Sequence, residues 1–318
     1  MNGSANVVEI DGVTKTFGRV TAVADLSLSV PDGSICGFIG PNGSGKSTTL
    51  RMIMRIYHPD PGSGSIRVLG LDDQSAANDR VGYLPEERGL YKKMKVRDLL
   101  RFYAELKGCR DCKGPVAEWL DRLGLVEWAD RKVETLSKGM AQKVQFISAV
   151  IHGPSLVILD EPFSGLDPVN MNVLREAVLD LRRGGATVIL STHDMGVAEQ
   201  MCDFIFMIFR GRKVLDGTLE AIQADYGQDT LRVGVEGDGA DLRSIRGVDG
   251  VVDRGHLQDL RVDPAADTQE ILASLMRIGR VHHFAATRPS LHDIFVRIAG
   301  PEARTPSGAA PPVEIAHA

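Results

Sequence analysis

The stretch that most constrains this chain is the glycine-rich segment GPNGSGKST at residues 40–48. It matches the pattern GxxxxGKS, in which the backbone wraps closely around phosphate groups. The run before it, residues 34–39, is short and mostly apolar, as in a buried strand. Residues 49–57 contain Leu, Met, Ile and Arg without Gly or Pro, as in a helix. Strand, glycine loop and helix in this order predict a phosphate-binding site rather than a flexible surface loop.

The residue types of this loop also indicate how the phosphates are held. Glycines let the backbone N–H groups turn inward around an anion, and the N-terminus of the following helix adds partial positive charge. Lys46 is expected to reach the β- and γ-phosphates of a nucleotide. The hydroxyl of Ser47 is expected to bind Mg²⁺.

Two apolar runs downstream end in polar residues that suit the same site. Residues 156–159, LVIL, suit a strand covered on both faces, and Asp160 and Glu161 follow directly. We expect Asp160 to hold Mg²⁺ beside the phosphate loop and Glu161 to orient or activate water. His193 follows the second run, residues 187–191. Because ligands bind at the carboxyl ends of strands in open α/β sheets, His193 is a candidate contact for the γ-phosphate.

Two other positions have more than one interpretation. Ser137 stands where a helical pattern begins, with Gly139 in the first turn, so this point is either an anion site or an ordinary helix cap. Phe17 precedes the phosphate loop and either stacks on a nucleotide base or belongs to the core. Its spacing in the sequence does not decide between the two.

Composition narrows the class of protein and its partners. The chain has 318 residues, of which 43% are hydrophobic and 25% charged, enough for one large and one smaller domain. The net charge is −5, so the chain lacks the excess of positive charge that nucleic-acid-binding proteins have, and no nucleic-acid partner is expected. No apolar run is long enough to span a bilayer, and the first residues lack a signal-peptide pattern, so we expect a cytoplasmic protein.

Cys109 and Cys112 form a CxxC pattern without a second pair of metal ligands. A zinc site needs four ligands, so we expect two reduced thiols on a loop rather than a metal or redox site.

From about residue 7 to residue 218, the chain resembles the ABC ATPases, the nucleotide-binding subunits of ABC transporters. The motifs stand in that family's order, with Walker A at 40–48, the signature at 136–140, Walker B at 156–160 and the D-loop at 164–167. The motifs and the resemblance together assign catalysis to Glu161 and His193. They assign Mg²⁺ binding to Ser47, Glu86 and Asp160. The residues assigned to ATP binding are Phe17, Gly40, Pro41, Asn42, Gly43, Ser44, Gly45, Lys46, Ser47, Thr48, Ser137, Gly139 and Asp167.

The chain departs from the family pattern at two places. Glu86 stands at the Q-loop position, where the family has Gln, and a carboxylate there can bind Mg²⁺ with a full charge. The signature reads LSKGM rather than LSGGQ, so Lys138 and Met140 replace Gly and Gln. Ser137 and Gly139 remain, and phosphate binding is expected to survive.

The resemblance further implies an assembly. Family members act as head-to-tail dimers with two ATP molecules at the interface, so Ser137 of one subunit would face the γ-phosphate held by Lys46 of the other. The partner is a separate transmembrane permease, which would place this subunit on the cytoplasmic face of the membrane. The segment 82–91, GYLPEERGLY, resembles export-type members. Whether the dimer is homo- or heteromeric stays open.

Two other classes of function fit the sequence less well. A soluble ABC ATPase of the translation or DNA-repair type usually has two ATPase modules or a long coiled coil, and this chain has one module without sustained heptads. A nucleotide-dependent scaffold without turnover would lack the catalytic carboxylate, whereas Glu161 and His193 are both present.

The predicted fold class is α/β, a P-loop NTPase core of the ABC ATPase type followed by a small α+β domain. The core, residues 1–218, is expected to have a mixed sheet with N-terminal antiparallel strands and an inserted helical subdomain at about 89–152. Residues 219–300 are predicted to form the α+β domain, which stabilises the dimer, regulates turnover or contacts a partner. Residues 301–318 are rich in Pro and Ala and are predicted to be a disordered tail.

Overall fold

The protein is described here from a computed structural model that covers residues 6–71, 78–87, 89–227, 230–236, 241–263 and 265–300. The chain divides into two compact units, Met1–Leu219 and Glu220–Ala318. The predicted tail, residues 301–318, lies outside the described residues.

The first unit consists of two sheets surrounded by helices. Its strands are β1 (Asn6–Phe17), β2 (Val20–Pro31), β3 (Ile35–Ile39), β4 (Ser65–Val68), β5 (Val81–Leu84), β6 (Leu156–Asp160), β7 (Thr187–Thr192), β8 (Phe204–Phe209) and β9 (Arg212–Gly217). Its helices are α1 (Lys46–Ile53), α2 (Val96–Leu106), α3 (Lys113–Arg122), α4 (Lys138–Val150), α5 (Pro168–Arg183) and α6 (Met195–Met201).

The larger sheet has six strands in the order β5-β6-β7-β3-β8-β9. The first five are parallel, and β9 pairs antiparallel with β8. Every residue of β3, β6 and β7 is buried, which explains their apolar runs: helices α2 to α5 pack on one face, and α1 with the smaller sheet packs on the other. Asp160 pairs with Ser191, and Ile39 with Thr192, so these three strands end at the same edge.

The smaller sheet has the order β2-β1-β4 and is antiparallel. In β2, Leu26, Leu28 and Val30 are buried and alternate with exposed serines, as expected for a half-buried strand. Together the two sheets give the mixed α/β architecture with N-terminal antiparallel strands, and the predicted fold class is confirmed.

Helices α2, α3 and α4 form the helical region between β5 and β6. Leu99, Leu100 and Leu120 lie in one core with residues of α4. The rings of Trp119 and Phe146 meet edge to face at 5.8 Å, which ties α3 to α4. Helices α2, α3 and α4 therefore share this core.

The second unit has a four-stranded antiparallel sheet in the order β11-β12-β10-β13. Leu231, Val233 and Leu260 form its core on one face, together with Ile271 and Leu275 from a helix. The elements are α7 (Leu219–Asp225), β10 (Thr230–Glu236), β11 (Val248–Asp253), β12 (Gln258–Val262), α8 (Thr268–Ile278), β13 (Arg280–Thr287) and α9 (Leu291–Ala299).

A network of ion pairs lies on the other face of this sheet. The carboxylate of Asp259 accepts hydrogen bonds from Arg232 at 2.7 and 3.0 Å, and it also pairs with Arg254. Arg254 in turn forms a forked pair with Asp293 at 2.8 and 2.9 Å. Asp259 is 5% exposed, so its charge depends on these partners.

No helix in the described part of the chain is long and apolar enough to cross a membrane.

We expect Asp259→Asn to destabilise the second unit by about 2 kcal/mol, because two guanidinium groups lose a buried anionic acceptor. Burial raises the pKa of Asp259, but hydrogen bonds from Arg232 and Arg254 outweigh burial, so the net pKa is lowered. A carboxyl group with a lowered pKa stabilises the fold above its unfolded pKa of about 3.9, and this contribution is lost as the pH falls through the folded pKa. Calorimetry of the full chain between about pH 3 and pH 7 measures both effects.

The matched control is Asp249→Asn, which removes an exposed carboxylate from neighbouring β11. Equal unfolding temperatures and equal pH profiles for the two variants would contradict the role given to Asp259.

Candidate functional site

The glycine loop between β3 and α1 depends on glycine at two positions. Gly40 has a φ of +149°, and a Cβ there would lie 2.1 Å from the carbonyl oxygen of Ile208. Gly45 has a φ of +111°, and its Cβ would lie 2.6 Å from the carbonyl oxygen of Ala22. The loop therefore packs too closely against neighbouring backbone for any side chain at either position.

Lys46, the first residue of α1, is 5% exposed. Its ammonium donates hydrogen bonds to the carbonyl oxygens of Gly40 at 2.8 Å and Pro41 at 3.1 Å. Burial lowers the pKa of Lys46, and the carboxylates of Glu161, Asp160 and Glu86 oppose that shift in part. A buried cation thus lies within a loop that is shaped to surround phosphate.

Ser47 and Asp160 meet across the edge of the large sheet. The Ser47 hydroxyl donates to Oδ1 of Asp160 at 3.3 Å. Asp160 is fully buried at the end of β6, and its Oδ2 has no hydrogen-bond partner among the described residues. A buried carboxylate oxygen without a donor is costly unless something cationic or hydrogen-bonding occupies the space beside it.

Glu161 and His193 form a pair at the ends of β6 and β7. Nδ1 of His193 lies 2.9 Å from Oε1 of Glu161, and Glu161 is 8% exposed. Glu161 also has a φ of 50°, a left-handed conformation that is uncommon for a residue with a side chain. Its N–H donates to the carbonyl oxygen of Ser191 at 3.1 Å, which holds this backbone in place.

A cavity of about 400 Å³ brings part of the predicted site together. It is lined by the phosphate loop from Asn42 to Thr48, by Ala22, and by the two carboxylate residues Glu86 and Glu161. Its size suits a small-molecule ligand. Glu86, which follows β5, therefore lies at the same cavity as Lys46.

The signature and D-loop residues lie together, but they are not among the described residues lining that cavity. Ser137 caps α4 by accepting from the N–H of Met140, and Asp167 caps α5 by accepting from Val169 and Asn170. Hydrogen bonds from the Asn170 backbone and side chain lower the pKa of Asp167.

Contacts also join the signature to the D-loop within the chain. Lys138 lies against Gly165, where a Cβ would come within 2.2 Å of the ammonium nitrogen. Gly139 lies beside Asn170, whose amide nitrogen would be 3.2 Å from a Cβ there.

Phe17 lies at the end of β1 and is 38% exposed. Its ring meets that of Tyr57 edge to face at 5.1 Å, and the ammonium of Lys15 lies 5.4 Å from its centre. Phe17 is therefore outside the buried core, and part of its ring surface is exposed.

Two buried glutamines on α4 contact the carboxylate loops, and motif matching does not find them. Gln142 donates to the carbonyl oxygen of Pro162 at 3.1 Å, next to Glu161. Gln145 donates to the carbonyl oxygens of Pro85 at 3.2 Å and Glu87 at 3.1 Å, on either side of Glu86. The sequence does contain one clue to these two residues: they are amides three positions apart in a helix whose buried side is otherwise largely apolar.

Cys109 and Cys112 are free thiols. The thiol of Cys112 donates to the carbonyl oxygen of Cys109 at 3.0 Å, and burial raises its pKa to about 11. Within the described residues, no group of three or more His, Cys, Asp or Glu side chains is arranged to hold a metal ion.

A glycine loop before α1, a buried lysine and carboxylates at the ends of adjacent parallel strands define a P-loop nucleotide-binding protein. A family model described as "ABC transporter" matches residues 23–164. A second model, described as "ATP-binding protein DrrA1-3-like, C-terminal domain", matches residues 217–299.

Relatives match nearly the whole chain. The "Uncharacterized ABC transporter ATP-binding protein YhaQ" of Bacillus subtilis is 41% identical over 92% of this chain and 99% of that protein. The "Nod factor export ATP-binding protein I" of Paraburkholderia xenovorans is 32% identical over 93% of this chain and 97% of that protein. A solved structure titled "Structure of ATP binding subunit of ABC transporter" is 30% identical, with a TM-score of 0.65 over 69% of this chain and 93% of that one.

The chain belongs to the ATP-binding proteins of the ABC transporter family. It is an ATPase, the ATP-binding and ATP-hydrolysing subunit of an ABC transporter. The comparisons favour this function over a soluble ABC ATPase of the translation or DNA-repair type.

We expect Gly40→Ala to lower the free energy of unfolding of the first unit by about 2 kcal/mol or more, because the new Cβ meets the Ile208 carbonyl. The unfolding temperature falls with it. Thermal unfolding of the purified chain without nucleotide measures the effect.

Gly43→Ala is the matched control, since Gly43 also has a positive φ but a Cβ there has no atom within 4 Å. Its cost is expected to be about 1 kcal/mol, from backbone strain alone. Equal losses in the two variants would show that the close approach to Ile208 is not what requires glycine.

Proposed function

We propose that this chain powers an exporter by ATP-driven dimerisation beneath a separate transmembrane permease. The relative named for Nod factor export supports the direction of transport, and the family supports the permease as partner. The subunit then works as a peripheral protein on the cytoplasmic face of the membrane. In this proposal residues 1–218 are the nucleotide-binding domain and residues 219–300 an accessory domain.

The observation that carries the proposal is the buried ammonium of Lys46 inside the glycine loop, with Glu161 lining the same cavity. Lys46 and the loop N–H groups bind the phosphates of ATP, which places the terminal phosphate near the carboxylates. Phe17 offers its exposed ring to the base. His193 is the proposed contact for the γ-phosphate.

Residues that line the cavity, together with Asp160 behind Ser47, fit Mg²⁺. The Ser47 hydroxyl and the carboxylates of Glu86 and Asp160 are hard oxygen donors, which Mg²⁺ prefers. The buried Oδ2 of Asp160, without a partner in the described part of the chain, suits a site beside a hydrated cation. We therefore assign Mg²⁺ binding to these three residues. When bound, Mg²⁺ neutralises charge on the phosphate oxygens.

Glu161 and His193 are the proposed catalytic residues. The contact between His193 Nδ1 and Glu161 Oε1 fixes the direction of the carboxylate. Glu161 then orients the attacking water through its other oxygen and accepts a proton from it. The left-handed backbone at Glu161 is a strained conformation of the kind found at functional sites, which supports this role.

A second subunit completes the site in this proposal. Ser137, Gly139 and Asp167 lie together at the starts of α4 and α5, apart from the described residues around the Lys46 cavity. Two chains placed head to tail would bring this group of one subunit to the ATP held by the other. The hydroxyl of Ser137 and the N-terminus of α4 then contact phosphate.

We expect Glu161→Gln to keep ATP binding and to lower the ATPase rate at least about 100-fold, because an amide cannot accept the proton from water. The variant should accumulate as an ATP-bound dimer. Nucleotide binding, ATPase rate and sedimentation with ATP measure the three properties. Glu118→Gln, an exposed change on α3, is the control. A rate in Glu161→Gln equal to that of the control would refute the role of Glu161.

Mixing two inactive variants tests the composite site. Lys46→Ala removes the phosphate-binding cation, and Ser137→Ala removes the hydroxyl that would reach the other subunit's ATP. We expect each variant alone to be nearly inactive and a 1:1 mixture to regain up to about a quarter of wild-type activity, since half of the dimers then have one intact site.

No recovery in the mixture, with both variants folded, would contradict a homodimer with shared sites. Retention of full activity by Ser137→Ala alone would contradict the role of the signature residue. Co-purification with a membrane protein would separate the transporter function from a soluble one.

A further inference from the structure

Two amide side chains are buried in the helix that begins at Ser137. Gln142 and Gln145 are each 4% exposed on α4, where their neighbours Val144, Phe146 and Ile147 pack in the core. Residues three apart lie on the same side of a helix. An amide without hydrogen bonds is costly to bury, so its partners indicate why it is there.

The partners of Gln145 are the two residues that flank Glu86. One amide nitrogen donates to the carbonyl oxygens of Pro85 at 3.2 Å and Glu87 at 3.1 Å. Both bonds go to backbone, so they hold the loop on either side of Glu86 and leave its carboxylate free to face the cavity.

The oxygen of the same amide lacks a hydrogen bond in the part of the chain that the structure describes. Oε1 of Gln145 is buried without a hydrogen-bond partner among the described residues. An apolar side chain of similar volume would avoid that unpaired oxygen but would leave the carbonyl oxygens of Pro85 and Glu87 without this donor. The value of Gln145 therefore lies in its donor nitrogen.

We propose that Gln145 is a positioning residue for metal binding: it fixes the Glu86 loop at the cavity and ties that loop to the signature helix. This proposal rests on the Mg²⁺ role given above to Glu86. Gln145 lies eight residues from Ser137 along α4, about 12 Å at 1.5 Å per residue. The N-terminus of α4 would meet the ATP of the other subunit. The same helix, through Gln145, also holds the loop that carries Glu86, the proposed metal ligand of its own subunit.

The test is Gln145→Met, which keeps the volume and removes the donor. We expect the Mg²⁺ concentration for half-maximal ATPase to rise about tenfold, the change that corresponds to about 1.4 kcal/mol. The KM for ATP at saturating Mg²⁺ should change less than about twofold, since Lys46 and the loop are untouched.

Metal binding is also measured without turnover. In the Glu161→Gln background with ATP present, Mn²⁺ binding followed by electron paramagnetic resonance should weaken by a similar factor on adding Gln145→Met. An unchanged Mn²⁺ affinity would overturn the proposal.

Lys143→Met is the matched control on the same helix. Lys143 is buried and donates to a backbone carbonyl, that of Leu123 at 3.1 Å, which lies in the helical region and not in a site loop. We expect this variant to lower the unfolding temperature without shifting the metal requirement. An equal metal shift in both variants would show that Gln145 acts only through the packing of α4.

Glu86→Ala separates failure of this proposal from failure of the proposed function. If Gln145 acts through Glu86, Gln145→Met adds no further shift in the Glu86→Ala background. If Glu86→Ala shifts metal dependence and Gln145→Met adds its full effect to it, the proposal for Gln145 is overturned and the role of Glu86 stands. If Glu86→Ala leaves metal dependence unchanged, both fail together.

Discussion

The structure depends on parallel strands that end side by side at one edge of a sheet. The hydrogen-bonded register aligns the carboxyl ends of β3, β6 and β7, and β5 pairs alongside β6. Segments far apart in the sequence then meet after these strands: the phosphate loop, Glu86, the pair Asp160 and Glu161, and His193. Helices cover one face of the sheet, and α1 with the smaller antiparallel sheet covers the other, so the backbone that positions these residues is held by packing from both sides.

Electrostatic balance at that edge is the second constraint. Lys46 lies near three carboxylates in a largely buried position, and burial lowers its pKa more than those carboxylates raise it. The ammonium attracts each carboxylate, whereas the carboxylates repel one another, in a site that is largely shielded from water. A nucleotide brings negative charge and a divalent cation brings positive charge, so the two together disturb this balance less than either alone.

Much of this arrangement follows from the sequence because glycine loops, buried apolar runs and caps have short-range causes. The alternation in β2 and the cap at Ser137 need only local residues, and both are present in the structure. The ambiguity at Phe17 needed tertiary structure, since exposure depends on what packs over β1. The contacts of Gln145 with Pro85 and Glu87 join positions about 60 residues apart, and no local pattern encodes them. The pair of amides three apart is a visible clue, but its partners become evident only when α4 lies against the loop after β5.

Two carbonyl oxygens of the phosphate loop itself accept hydrogen bonds from the ammonium of Lys46, where a phosphate would bind. An ammonium has three N–H donors, and two of them bond to Gly40 and Pro41, so a ligand binds through the third donor or takes the place of one of these carbonyl oxygens in an exchange. A molecule that offers one weakly placed oxygen gains little from that exchange, whereas a chain of phosphates offers several charged ones at once. A polyphosphate therefore gains more from this loop than a ligand with a single neutral oxygen.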